Sequence, residues 1–166
     1  FRYSSSVNNQ GQIFGRADYR IDTPWLINGQ DAKILGAGRL ELADSRIDNR
    51  GELRASTLVI SGDGKLTNSG NVTGENTLQL SQKSTDNQAG GVLAGGTITA
   101  DGDTLHNHGR ILAKHALRFD LDTATNHGLL YSAGNAELQA KQLDNHGSIA
   151  GNQLQLGGGQ LRNDGQ

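Results

Sequence analysis

LDNHGSIAG, at residues 143–151, is the stretch that decides the fold, because its pattern recurs along the whole chain. The pattern has nine positions. An apolar residue comes first, Asn is third, Gly is fifth, a second apolar residue is seventh and a small residue is ninth, and the positions between them vary. It returns as VNNQGQIFG at residues 7–15 and as IDNRGELRA at residues 47–55. Further copies lie at residues 66–74, 105–113 and 124–132, a truncated copy begins at Leu161, and two looser copies surround Asn28 and Asn87.

The asparagine of the pattern repeats at a nearly constant interval. Successive asparagines are 19, 21, 19, 19, 20, 19, 19 and 18 residues apart. Self-similarity at a fixed period of this length is typical of a solenoid, in which each repeat forms one coil and stacks on the next. The anchoring residues are Asn9, Asn28, Asn49, Asn68, Asn87, Asn107, Asn126, Asn145 and Asn163.

Each repeat also holds two apolar residues in alternation, which indicates a strand with one buried and one wet face. No segment shows an apolar stripe at helical spacing. A leucine-rich repeat has a similar Asn, but it needs a returning helix or 3₁₀ segment, for which short strands and Gly turns leave no room. The pairs are Tyr19 and Ile21, Leu40 and Leu42, Leu58 and Ile60, Leu78 and Leu80, Ile98 and Ala100, Leu117 and Phe119, Leu138 and Ala140, and Leu154 and Leu156.

The sequence therefore predicts an all-β fold, a right-handed parallel β-helix of about eight coils of 19–20 residues. Residues 1–166 are expected to form a single β-helical repeat segment. Coils would stack at about 4.8 Å, so the asparagine side chains are expected to form a hydrogen-bonded ladder. Where the pattern has a glycine two residues after the Asn, that glycine is expected to supply a positive φ. Ile111 is expected in the core between Val92 and Leu130.

The composition favours a thin, repeated core. The chain has 24 Gly, one Pro, no Cys and no Met, and 4% of its residues are aromatic. The net charge is −2 and no basic run could follow phosphates, so nucleic acid is not an expected partner. Apolar stretches are too short for a transmembrane helix, so membrane insertion is not expected. Because the chain opens at Phe1 and contains no Met, we expect an internal fragment of a much larger protein.

Polar residues in equivalent slots of neighbouring coils could carry chemistry. His108, His127 and His146 each follow a ladder Asn and are expected to stack at about 4.8 Å. Parallel rings do not converge on an ion, so no metal site is expected, and no cofactor is implied. An acidic patch is expected to be solvated, because the calcium-binding nonapeptide is absent. Its members are Asp101, Asp103, Asp120 and Asp122.

Parallel β-helices also host polysaccharide lyases and hydrolases, whose ionisable groups cluster on one strand face. Asp48, Asp86 and Asp144 share a slot, but they lie on non-adjacent coils and cannot act as a pair. The spacing specifies no Ser–His–Asp or Cys–His set. We therefore expect no catalytic residues and no enzymatic activity.

A candidate partner contact lies in the most irregular coil, at Trp25, Asp31 and Lys33. Trp25 is the only tryptophan, and alternation with the inward Leu26 turns it outward, beside the insertion at residues 29–33. An exposed aromatic on an irregular loop is one way for a solenoid to display a contact point. The alternative is that Trp25 packs over the insertion or a neighbouring coil.

Units such as residues 143–151 resemble the haemagglutinin repeats of filamentous haemagglutinin and of contact-dependent growth inhibition effectors. The resemblance covers residues 7–165, and the chain departs from the pattern after Asn28, where residues are inserted before Ile34, and after Asn87, where an extra Gly occurs. It implies a very large exoprotein exported through an outer-membrane transporter of the two-partner secretion pathway. The implied location is secreted or on the surface of a Gram-negative bacterium.

Two functions follow from the resemblance. The first is a structural fibre or stalk segment that projects and displays adhesive, receptor-binding or toxin regions. The alternative is a module on the same β-helix that binds a target-cell receptor or a glycan. A stalk predicts uniform, polar outer faces, whereas a binding module predicts loops and aromatic residues concentrated on one face.

Overall fold

The chain is a stack of parallel coils in the computed structural model, which describes Arg2, residues 5–43 and residues 46–166. Neighbouring coils pair through parallel strands, and the strands between the first and last coils pair with their equivalents on both sides. The predicted parallel β-helix of about eight coils is confirmed. The strands of the described residues are β1 (Ser6–Asn9), β2 (Gln12–Gly15), β3 (Tyr19–Asp22), β4 (Trp25–Asn28), β5 (Lys33–Ala43), β6 (Arg46–Asn49), β7 (Glu52–Asn68), β8 (Asn71–Asn87), β9 (Val92–Asn107), β10 (Arg110–Asn126), β11 (Leu129–Asn145) and β12 (Ser148–Asn163).

Each full coil contains three paired segments, which β10 illustrates. We call residues 110–113 and their equivalents segment A, residues 116–121 segment B, and residues 123–126 segment C. Pairing is interrupted between segments A and B, and again between B and C. The turn that follows the final Asn of segment C leads to the next coil, and we call it the Asn turn.

The core is a set of columns that run along the rod. In every segment alternate side chains point inward, and each one packs on the equivalent side chain of the next coil. The column of segment A contains Ile34, Leu53, Val72, Leu93, Ile111 and Leu130, and the first column of segment B contains Leu40, Leu58, Leu78, Ile98, Leu117 and Ala136. All of these residues are buried. Each added coil therefore buries further apolar area, and this is how a thin core can stabilise a long rod.

Two predicted neighbour relations in the core are wrong. Ile111 lies between Leu93 and Leu130, and Val92 points outward from the adjacent position. Leu117 and Phe119 pair with Ala136 and Leu138, so the pair Leu138 and Ala140 was placed two residues too late. Positions 136, 138 and 140 all face inward. Alternation alone does not show which two of them continue the column.

Two Asn turns are two residues longer than the others. The turn at residues 29–32 is closed by a bond from the Ala32 N–H to the Gly29 carbonyl (3.1 Å), and the turn at residues 88–91 by the equivalent bond from Gly91 to Gln88 (2.9 Å). The second insertion is therefore larger than the single extra Gly expected from the sequence. The period there is only 20 residues because a single residue, Gly96, occupies the A–B junction.

The glycine of the Asn turn is required for a different reason from the predicted one. The described glycines with positive φ are Gly62, Gly90, Gly102 and Gly158, and none of them is in this slot. A methyl group on Gly70 would instead collide with the carbonyl oxygen of Gly51, one coil below, and one on Gly128 would collide with that of Gly109. Close stacking of successive turns therefore selects glycine.

Candidate functional site

The nine anchoring asparagines form one continuous ladder inside the solenoid. The Nδ2 of each Asn donates to the Oδ1 of the Asn in the next coil, at 2.6–2.9 Å, from Asn9 through to Asn163. All members except the last are buried. An amide can occupy this position because it has donors on one side and an acceptor on the other, so each member satisfies both of its neighbours.

Each ladder amide also holds its own turn. The Nδ2 of Asn107 donates to the carbonyl of Gly109, at 3.3 Å, and to that of Leu129 in the next coil, at 3.2 Å. The same pair of backbone contacts is made by Asn49, Asn68 and Asn126. One side chain therefore links the turn, the next coil and the next ladder member, so the Asn turn is cross-linked both within and between coils.

Three imidazoles stack outside this corner. The ring centroids of His108 and His127 are 4.7 Å apart with the planes 7° from parallel, and those of His127 and His146 are 4.9 Å and 23°. This is the arrangement that the spacing predicted. Within the described ranges no group of three or more His, Cys, Asp or Glu residues is arranged to hold a metal ion.

The four aspartates of the expected acidic patch occupy two neighbouring columns. Asp101 and Asp120 are directly paired on adjacent coils, and both are exposed. Asp122 accepts a bond from the Nζ of Lys141 at 2.6 Å. That bond, and then the attraction of Asp122, raise the pKa of Lys141. The patch is therefore partly neutralised by a lysine from the next coil.

The three residues of the candidate partner contact lie before, within and after the long turn at residues 29–32. Trp25 is 43% exposed, and the guanidinium carbon of Arg46, its partner on the next coil, lies 5.6 Å from the ring centroid. The Nζ of Lys33 lies 3.6 Å from a carboxylate oxygen of Glu52. Asp31 is exposed in the turn. Trp25 thus packs against a neighbouring coil while it keeps an accessible surface.

An open groove of about 900 Å³ crosses the outer surface of segment A. It spans five coils, from Arg54 to Tyr131. The outward column there reads Arg54, Thr73, Ala94, Leu112 and Tyr131. Small side chains in the middle and large ones at the ends produce the depression.

The groove has one polar end and one apolar end. The Nε of Arg54 lies 3.7 Å from a carboxylate oxygen of Glu52 and from one of Glu75. Lys114 also lines the groove, so its two cations offset its two carboxylates. At the other end the Tyr131 side chain is 42% exposed and Leu112 is half-buried. Apolar surface combined with a few polar groups is typical of a small-molecule site.

Comparison with known proteins decides the family. Haemagglutinin repeats match residues 3–70, 52–114 and 112–166, which together cover nearly the whole chain. The chain belongs to the haemagglutinin repeat family. The predicted resemblance to a filamentous haemagglutinin-type repeat region is therefore confirmed.

A curated relative of these haemagglutinin repeats is the protein named deoxyribonuclease CdiA from Dickeya dadantii (strain 3937). It is 30% identical over 167 residues, which cover 98% of this chain and 5% of that protein. The chain thus spans a small part of this relative. No solved structure matches the chain. Within the residues that the structure describes, no helix is long and apolar enough to cross a membrane.

The groove was not predicted from the sequence, because a contact site was expected only where a coil departs from the regular repeat length. Tyr131 lies in a coil of ordinary length, so nothing in its local sequence singles it out. Writing the outward positions of segment A one below the other would have revealed the apolar run from Ala94 to Tyr131. Such an alignment requires the register between coils, and the two extra residues of the turn at residues 88–91 make that register hard to read from the sequence.

Proposed function

We propose that this segment is a stalk within a filamentous exoprotein of a Gram-negative bacterium, secreted or held at the cell surface. The observation that supports the proposal most is the unbroken ladder from Asn9 to Asn163, because it ties every coil to the next in one register. A solenoid of this kind extends by addition of coils without any change in its cross-section. Membership of the haemagglutinin repeat family is consistent with this role.

The stalk would display other regions of the parent protein, which are adhesive, receptor-binding or toxic. Its predicted partner during export is an outer-membrane transporter of the two-partner secretion pathway. The relative's name, deoxyribonuclease CdiA, supports a parent with a toxin region, and this chain covers 5% of that relative.

We propose further that the segment itself is not an enzyme. Asp48, Asp86 and Asp144 lie in one outward column, but each is separated from the next by intervening coils. Asp48 is bonded to Arg50, Asp86 to Lys65 and Asp144 to Gln142. Carboxylates held apart and paired in this way suit a charged outer surface better than an acid–base pair.

The stalk proposal is tested by lengthening the rod inside the parent protein. Six tandem copies of residues 88–145, inserted after Asn145, add eighteen coils and preserve an Asn at every junction. At about 4.8 Å per coil the fibre should lengthen by about 86 Å, as measured by electron microscopy, while display of the distal regions continues. The control is an insert of the same composition in scrambled order, which should not extend the fibre. An unchanged fibre length with the native insert would contradict the proposal.

A second candidate function, glycan binding, is favoured by the groove on segment A. Sugar rings present C–H faces that pack on aromatic side chains and hydroxyls that bond to polar groups, and the groove offers both, at Tyr131 and at Asn76. The charges of the groove lining sum to zero, which favours a neutral glycan. The groove covers four coil spacings, about 19 Å, which suits an oligosaccharide laid along the rod.

Glycan binding is tested with Tyr131→Ala on a panel of neutral oligosaccharides. The matched control is Phe14→Ala, since Phe14 lies in the same outward column but outside the groove. Loss of an aromatic anchor should weaken binding by about 2 kcal/mol, or roughly thirtyfold in Kd, and the control should bind normally. If the unmodified chain binds none of the panel, or both variants bind equally well, the glycan function is wrong.

A further inference from the structure

The stack of His108, His127 and His146 is built directly onto the hydrogen bonds that join successive Asn turns. The N–H of His127 donates to the Asn107 carbonyl at 2.7 Å, and that of Gly128 donates to the same oxygen at 3.1 Å. The N–H groups of His146 and Gly147 repeat this pattern on the Asn126 carbonyl, at 2.7 and 3.0 Å. A force that separates the rings therefore acts on the backbone bonds of the turn and on the ladder beside it.

Among the described residues, the charged or titratable groups that shift the pKa of the central ring, His127, are other imidazoles. His127 is exposed, but partial loss of hydration, and then repulsion from His108, His146 and His106, lower the pKa of its ring. At a spacing of 4.7–4.9 Å, two charged rings lie well inside the screening length of about 8 Å at physiological ionic strength.

Among the described residues, the carboxylate that pairs with the stack lies beside its last ring and not beside the central one. The Nδ1 of His146 lies 3.3 Å from a carboxylate oxygen of Asp164, which Arg162 also contacts at 2.9 Å. Asp144, on the same coil as His146, accepts a bond from Gln142. Negative charge is thus available at one end of the stack, beside the last ring.

We propose that this histidine stack is an acid-responsive element, which loosens the Asn turns of three successive coils when its rings become charged. The other Asn turns carry Gln10, Gly29, Arg50, Ser69, Gln88 and Asp164 in the same slot, so the response is confined to one part of the rod. The inference goes beyond the stalk function, since a spacer needs no titrating group.

The direction of the effect follows from linkage. A lowered pKa of His127 in the folded state means that the unfolded chain binds the proton more readily. The neutral His127 ring contributes its full stabilisation above the ordinary histidine pKa of 6.5, which applies to the unfolded chain. This contribution is lost as the pH falls from 6.5 through the lower pKa of the folded chain. Acid should therefore open these turns, and high salt should weaken the effect because it screens the repulsion.

The test is hydrogen exchange of the backbone amides of the 166-residue chain at pH 7.5 and pH 5.5, corrected for the intrinsic rate at each pH. We expect protection of the amides of residues 127, 128, 146 and 147 to fall severalfold at the lower pH. Protection of the amides of Ser69 and Gly70, in a turn without His, should stay constant. An equal response in both sets of turns would overturn the proposal.

Two variants assign the response to the stack. His127→Gln puts a glutamine in the central slot, as Gln10 and Gln88 do in other coils. It also leaves no two histidines adjacent in the stack. It should abolish the acid response, whereas His115→Gln, an exposed histidine outside the stack, should keep it. If His127→Gln responds to acid like the unmodified chain, the stack is only a row of surface side chains and the proposal is wrong.

Discussion

At the scale of single residues, the glycine of the Asn turn shows how stacking constrains a sequence. It follows the ladder Asn by two positions, and its Cα lies against the carbonyl of the equivalent residue one coil below. No side chain fits there at a coil spacing of about 4.8 Å. Gly11 supports this cause, because a methyl group there would meet no described atom within 4 Å.

Gly128→Ala should therefore destabilise the chain, whereas Gly11→Ala should not. The new methyl group at residue 128 collides with the backbone of Gly109, and backbone cannot move aside as a flexible side chain can. Overpacking of this kind costs about 1–3 kcal/mol, while a change in open space stays within about 0.5 kcal/mol. Urea denaturation measures both free energies of unfolding. Similar losses in the two variants would show that the glycine serves the turn conformation instead of the stacking.

At the scale of elements, the ladder joins strands that the backbone bonds alone would leave free to slip. Segment C ends on Asn in every coil, so a shift of one residue would remove the amide from its partners and turn the inward apolar side chains outward. The ladder therefore specifies the register of the parallel strands in addition to stabilising them.

Asn107→Ala should break the ladder at its centre. It removes the acceptor of Asn87 and the donor that reaches Asn126, Gly109 and Leu129. Each buried polar group left without a partner costs about 1–3 kcal/mol, so the free energy of unfolding should fall by about 2 kcal/mol or more. The control is Asn135→Ala in the same solenoid, which truncates an exposed Asn of β11 and should be nearly neutral. An equally small loss for Asn107→Ala would mean that the backbone pairing alone holds the register.

At the scale of the whole molecule, most of the correct predictions about the fold followed from the periodicity of the sequence. The spacing of nine asparagines was sufficient for the parallel β-helix, the number of coils and the stacking of the three histidines, because each follows from one residue meeting its equivalent a coil later. The inward alternation at Leu26 and Ile111 was likewise readable, since strands bury every second side chain.

The outer surface was less predictable. The candidate contact at Trp25 was found by its irregular surroundings, and the structure adds the packing of Arg46 against its ring. The groove at Tyr131 was missed because it is made by side chains from five coils that are far apart in the sequence. Such a site depends on which outward residues are stacked, and one error of register conceals it.

The sequence by itself determined the fold, the coil period and the ladder, because these depend on a repeat that is local and recurs many times. Only the tertiary structure decided that Ile111 packs on Leu93, that the column of Leu117 continues through Ala136, and that glycine is required by the coil below. Each of these depends on the lengths of the turns and on the distance between coils. Sequence spacing leaves both open, because insertions at one corner can be offset by deletions at another, as Gly96 offsets part of the long turn at residues 88–91.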